Sequence, residues 1–396
     1  MKTSPLLLAL TLTLATGCPA AEPDGDPDAS APTPGADAGA DSSSPMPDAA
    51  GRGADAGEDA APAPVEDAGA DAQDPPDAEA DSGAPPQGTL RARICGGQEW
   101  TFTGEGAGEV ELVAERGSIG GTEQAFSFLE GPVWYDGALH FSDFNTSSPL
   151  ADDDQGPPTI VWRLGEDGGV AAAWPEATVR SNGMAVDEAG ALHVSDHAAR
   201  GITRVGADGA RAVLVDAYMG ETLNATNDLV LTSDGSIWFT DPTYGSQVDG
   251  RPTPLGFEGV YRLRPDGTLE LIDDRLRRPN GITVSPDERT FYVASKDENT
   301  VFEYPISVSG EVGERAVFVD RQSTDGMAVD CAGNVYLAVP GKALRAFDPA
   351  GNKIWERLSR KALTNVAFGG PDHDVLYVTE QKKLHRIQMP LPGMPY

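Results

Sequence analysis

Histidine and cysteine are scarce in this 396-residue chain, with five and three copies. The spacing of Cys18, Cys95 and Cys331 has no metal-site pattern. Neither a G-x-S-x-G elbow nor an H-E-x-x-H helix occurs, so serine-hydrolase and zincin chemistry find no support. Basic residues are few, 29 Lys plus Arg against 62 Asp plus Glu, and the net charge of −33 repels phosphate, which argues against nucleic acid as a partner. No stretch keeps a helical period, which argues against alternating strands and helices. The apolar run from Leu6 to Leu14 is too short to span a bilayer.

That short run does have a meaning in its place. Residues 1–18 read as an export signal: Lys2, the apolar stretch, then small residues before Cys18. Ala15-Thr16-Gly17-Cys18 resembles a lipobox, so Cys18 is expected to carry lipid and to anchor an exported protein in the cell envelope, on the periplasmic face or cell surface, with release as a variant. An ordinary signal peptide cut nearby is the plainer alternative. Residues 19–89 hold 17 acidic side chains against Arg52 alone, close to half of the net charge, and no aromatic residue. Such a segment buries too little apolar area to offset its ordering entropy and is expected to be a solvated tether. Export would permit a bridge between Cys95 and Cys331, with two buried thiols as the alternative.

Residues 90–396 repeat themselves. EGPVWYDGALHFSD starts at Glu130, NGMAVDEAGALHVSD at Asn182, NDLVLTSDGSIWFTD at Asn227, NGITVSPDERTFYVAS at Asn280, DGMAVDCAGNVYLAV at Asp325 and TNVAFGGPDHDVLYVTE at Thr364, at intervals of 52, 45, 53, 45 and 39 residues. Each copy is a hairpin, with a second hairpin behind it in most units, as in VYRLRPDGT from Val260. Two hairpins per unit and six units predict an all-β, six-bladed propeller of four-stranded antiparallel blades, expected to be a monomer. TLRARI and EVELVAERG, ahead of the first unit, read as strands that close the ring by completing the last blade.

In a propeller the innermost strands begin around one axis. The residues at that position are Glu130, Asn182, Asn227, Asn280, Asp325 and Thr364-Asn365, all of them oxygen-bearing. An Asn-Gly or Asp-Gly pair is also a common turn dipeptide, which accounts for any one of them taken alone. Six together, including Glu130 in a poor turn sequence, point instead to one divalent cation held by oxygen donors: calcium first, with magnesium, manganese or zinc as alternatives.

From Glu130 onward the chain resembles the gluconolactonase and senescence marker protein (regucalcin) family of propeller lactonases. Glu130-Gly131-Pro132-Val133-Trp134 matches its first-blade signature, Pro279-Asn280-Gly281-Ile282 the segment of its ligand asparagine, and Thr324-Asp325-Gly326-Met327 the segment of its ligand aspartate, which also serves as the base. Asn227-Asp228-Leu229 with Phe239 to Gly245 resembles the segment that contacts substrate, and Thr364 to Gly370 matches the last blade. The resemblance therefore implies metal ligands Glu130, Asn280 and Asp325, a base at Asp325, and a sugar-lactone substrate opened by metal-activated water in the central channel. Asn227, Asn182 and Tyr244 would orient the substrate. Animal members carry an arginine where this chain has Ala225, so that contact does not transfer. The bacterial pattern, with Asn182-Gly183 and a later His197, fits better, and His197 is added as a substrate candidate against its plainer reading as a loop histidine. His140 and His193 are attributed to packing between blades. The competing functions are a non-catalytic surface propeller that binds a partner, and an esterase or phosphotriesterase acting on another ester.

Overall fold

The computed structural model describes residues 89–96, 99–144, 159–174, 180–206, 209–243, 252–358 and 362–395. Residues 1–88, with the expected export signal, Cys18 and the acidic segment, lie outside them, as do Tyr244, the loop 146–156 and residues 245–251. Among the described residues no helix is long and apolar enough to cross a membrane.

Six sheets form the blades, antiparallel except where Arg116–Ile119 joins the edge of blade 1 in parallel. Their innermost strands are Leu129–Tyr135, Ser181–Val186, Leu229–Leu231, Pro279–Val284, Met327–Val329 and Leu363–Gly369, and each continues outward through three more strands. Second strands such as Ile237–Asp241 and Val335–Val339 are buried throughout, because both faces are covered by neighbouring blades. Alternate residues then serve opposite seams: Ile237 and Phe239 pack toward blade 2, Trp238 toward blade 4. Six hydrophobic clusters result, each drawn mainly from two adjacent blades, so the core lies between the sheets.

The ring closes as expected through Glu111–Ala114, which pairs with Lys383–Gln388 as the outer strand of blade 6. Arg116–Ile119 and Thr122–Ala125 extend blade 1 to six strands. TLRARI is not a strand. Leu90–Cys95 is a helix, capped by Thr89, whose hydroxyl accepts from the Ala92 N–H at 3.1 Å. Six residues are too few to display a period, and tertiary contacts decide the outcome. Arg91 is buried against Glu288 at 2.7 Å and donates to the Leu231 carbonyl, while Cys95 is joined to Cys331 by a disulfide. Leu231 ends an innermost strand and Glu288 lies in the turn after one, so the helix sits on the face opposite the strand starts.

Candidate active site

The six oxygen-bearing residues stand at the beginnings of the innermost strands, and there the ladder is irregular. Register slips between Glu130 and Val133, Ser181 and Met184, Pro279 and Ile282, and Leu363 and Asn365. An extra residue in one strand re-aims the side chain beside it, which is how a bulge turns a strand residue toward the axis. Asn-Gly and Asp-Gly are therefore part of the strand lead-in and not turns between blades. The glycines link blades instead: Gly183 N–H donates to the Asn227 carbonyl at 2.8 Å, Gly281 to Asp325 at 3.1 Å and Gly326 to Thr364 at 2.8 Å. At Gly131 an added Cβ would stand 1.9 Å from the Asn182 carbonyl oxygen, a contact no side chain tolerates.

A second device fixes these starts from behind. Each second strand ends beside the start of its own first strand, and three of them carry Ser-Asp or Thr-Asp at or one residue before that end. Asp143 accepts from the Ser127 and Phe128 N–H groups, Asp196 from Arg180 N–H, and Asp241 from Asn224 and Ala225 N–H at 2.9 and 2.8 Å. In blades 1 and 3 the preceding hydroxyl reaches the next blade: Ser142 donates to the Asn182 carbonyl and Thr240 to the Asn280 carbonyl. In blade 4 the pair is Ser295-Lys296, and the lysine behaves differently.

Lys296 Nζ lies 3.1 Å from Asp325 Oδ2, and Asn280 Nδ2 donates to Asp325 Oδ1 at 2.7 Å. Both oxygens of the Asp325 carboxylate are thus held, and Asn280 Oδ1 keeps its lone pairs free of any hydrogen bond among the described residues. Asn365 Nδ2 donates to Glu130 Oε2 of the neighbouring blade 1 and, across the axis, to both oxygens of Asp228, each at 3.2 Å. Glu130, Asp228, Asn280, Asp325 and Asn365 are all nearly inaccessible. A small cavity adjoins them, bordered by Asp228 and Asn365 themselves and by Pro132, Met184, Leu229, Ile282, Met327 and Val366.

The charges report the same geometry. Burial, with Asp325 and Asp228 close by, holds the Glu130 carboxyl well above the usual carboxylate range. Asp228 is pushed up to about 7 by burial, opposed by the Asn365 hydrogen bond and reinforced by Asp325. Asp325 is also raised by burial, with Lys296 pulling the other way. Three buried carboxylates share one ammonium, a combination that a divalent cation would relieve. Asn182 Oδ1 is likewise buried with no hydrogen-bond partner among the described residues. These oxygens suit a hard cation. No three Asp, Glu, His or Cys side chains among the described residues form a cage of their own, so an ion here would draw on carboxamide oxygen and water as well.

Glu130, Asn280 and Asp325 thus come together from blades 1, 4 and 5. Asn227 lies beside Asp228, and its carboxamide makes no hydrogen bond among the described residues. Thr364 turns away from the axis, donating to the Leu129 carbonyl at 2.6 Å, and Asn365 alone serves blade 6. His197 follows the second strand of blade 2 on the same face, against Phe144. His140 stands between Tyr135 and Trp174 in the seam of blades 1 and 2, and His193 bonds Asp187 at 3.0 Å, both as packing residues. Asp228 and Lys296 were given no role from sequence. Each departs from a repeat: Asp228 stands where blades 1, 2, 4 and 5 have glycine, and Lys296 where blades 1, 2 and 3 have aspartate.

A six-bladed propeller with an acidic, oxygen-lined cluster at one end of its axis is the class of protein that fold and site define. Residues 128–382 match the SMP-30/Gluconolactonase/LRE-like region, and the chain belongs to that family. A gluconolactonase of Zymomonas mobilis is 33% identical over 290 residues, covering 65% of this chain and 78% of that protein. The solved structure of a gluconolactonase from Xanthomonas campestris superposes with a TM-score of 0.61 at 29% identity, over 72% of this chain and 90% of that one. A calcium-binding regucalcin from Agrobacterium tumefaciens shares the fold, with a TM-score of 0.56 at 17% identity over 73% and 98% of the two chains.

Proposed function

We propose that this protein opens a sugar lactone by hydrolysis at the axial cluster, with a divalent cation held by Glu130, Asn280 and Asp325. It is a hydrolase acting on ester bonds, in keeping with its family and its similarity to the Zymomonas mobilis gluconolactonase. The observation that carries the site is the joining of blades 4 and 5 through Asn280 and Asp325, with Glu130 close enough for the Asp325 charge to raise its pKa. When bound, the cation would act as a Lewis acid toward the ring carbonyl and would offset the negative charge that develops there. Oxygen-only donors favour calcium, then magnesium or manganese.

The chain supplies the rest. Asp325, oriented by Asn280 and Lys296, takes a proton from the attacking water. The water oxygen bonds to the carbonyl carbon, the ring C–O bond breaks, and a proton passes to the departing oxygen to leave a hydroxy acid. Asn227 and Asn182, with His197 at the rim, hold the hydroxyl-bearing ring in place. We extend the proposal to a lipid-anchored, exported protein carrying lipid on Cys18, a reading supported by the composition of residues 1–18.

The test is acid release from D-glucono-1,5-lactone and related lactones, followed by a pH indicator with and without calcium, magnesium, manganese or zinc. Cation-dependent turnover is expected, with Asp325→Asn reducing it by about 10²–10⁴-fold at an unchanged melting temperature. An Asp325→Asn enzyme of full activity, or turnover indifferent to prolonged chelation, would overturn the mechanism.

A further inference from the structure

Asn365 comes from the last blade, yet its one amide group meets carboxylates of two others. Its Nδ2 donates to Glu130 Oε2 in blade 1 and to Asp228 in blade 3, each at 3.2 Å. Blade 3 faces blade 6 across a six-membered ring, so this contact spans the axis. The amide cannot be turned over without loss, because Oδ1 accepts from its own chain's Val366 N–H at 2.8 Å. That bond directs Nδ2, the donor end, at the two carboxylates. Packing fixes the plane as well: a Cβ added to Gly326 would stand 1.8 Å from Asn365 Oδ1 and 2.0 Å from Cγ, so the carboxamide lies flat against a backbone that only glycine leaves bare.

We propose that Asn365 is a positioning residue that clamps Glu130 and Asp228 across the axis, setting the carboxylate geometry to which the divalent cation binds. The inference rests on the cation reading given above. Two like charges from separate blades would otherwise part, and Glu130 would lose the restraint that directs its second oxygen, Oε1, away from Asn365. A partner that orients a ligand in this way is worth about 10- to 100-fold in metal affinity. Asn365 touches neither water nor substrate in this scheme, and it acts through Glu130.

Isothermal titration of the full-length protein with calcium, magnesium, manganese and zinc ions separates the possibilities. Asn365→Leu, close in shape but without donors, is expected to bind about 10- to 100-fold more weakly than wild type, at a cation-free melting temperature within a few degrees of it. Gly326→Ala removes no donor and no ligand oxygen, yet by displacing the Asn365 carboxamide it should weaken binding in the same way. Should Asn365→Leu fail to fold, Asn365→Ser takes its place in the comparison. Wild-type affinity in both the Asn365 and Gly326 variants would overturn the clamp while leaving the cation site standing. A wild-type protein that takes up none of the four ions would overturn the cation reading itself, and the clamp with it.

Discussion

Individual residues in this propeller do one of two jobs, facing the axis or filling a seam, and neighbours in sequence can differ. Thr364 and Asn365 are adjacent, yet one bonds the Leu129 carbonyl and the other crosses the axis. His140 shows the seam role and its cost. Burial lowers its pKa from 6.5 to about 4, although its Nδ1–H donates to the Ala138 carbonyl. With the folded-state value below the unfolded one, the unfolded chain binds more protons between pH 6.5 and 4. Stability is therefore full above that window and drains as pH falls through it, by about 1.4 kcal/mol per unit at most. His140→Phe keeps a ring between Tyr135 and Trp174 and cannot be protonated. Its stability relative to wild type should improve by about 2 kcal/mol on going from pH 7.5 to pH 4.5, measured by urea unfolding. An equal difference at both pH values would show that the imidazole does not titrate in this way.

Elements of the fold are legible where a pattern must repeat and illegible where contacts decide. The six innermost strands could be aligned in sequence because each must bury two faces and begin at the axis. The bulges could not be read, since a slip of register appears only when the partner strand is in place. Nor could the helix Leu90–Cys95, whose Arg91 finds its partners at Leu231 and Glu288, far along the chain. The Ser-Asp and Thr-Asp ends of the second strands were in plain view in ALHFSD, ALHVSD and IWFTD, but their purpose required the lead-in loops they cap. Asp241 carries two buried N–H groups of the segment that leads to Asn227 and Asp228. Asp241→Ala leaves both without acceptors and should lower stability by about 2–4 kcal/mol in denaturant titration. A loss below about 0.5 kcal/mol would mean that the loop finds other acceptors or water.

At the scale of the whole molecule, a ring of blades is closed by its own ends. Glu111–Ala114 supplies the last strand of blade 6, and the Cys95–Cys331 disulfide ties the N-terminal helix to a turn of blade 5 over a sequence separation of 236 residues. A link that closes so long a loop restricts the unfolded chain strongly. Reduction, or Cys331→Ser, should cost about 2–5 kcal/mol of stability. Lactone turnover below the melting transition should persist, because the helix lies on the face opposite the carboxylates. Unfolding curves with and without dithiothreitol check the first part and the lactone assay the second. Coincident curves would show that the helix and blade 5 stay together without the bond.

The order of the residues by itself determined the repeat, the number of blades, the closing of the ring through the segment EVELVAERG and the oxygen-rich position shared by all six units, since these follow from burial at a fixed period and from side-chain chemistry. Tertiary structure alone decided that Asp228 and Lys296 join the cluster, that Asn365 rather than Thr364 serves it from blade 6, and that Cys95 meets Cys331. Contacts at the axis connect positions as far apart in sequence as Glu130 and Asn365, and such pairs exist only once every blade has taken its place and the ring has closed.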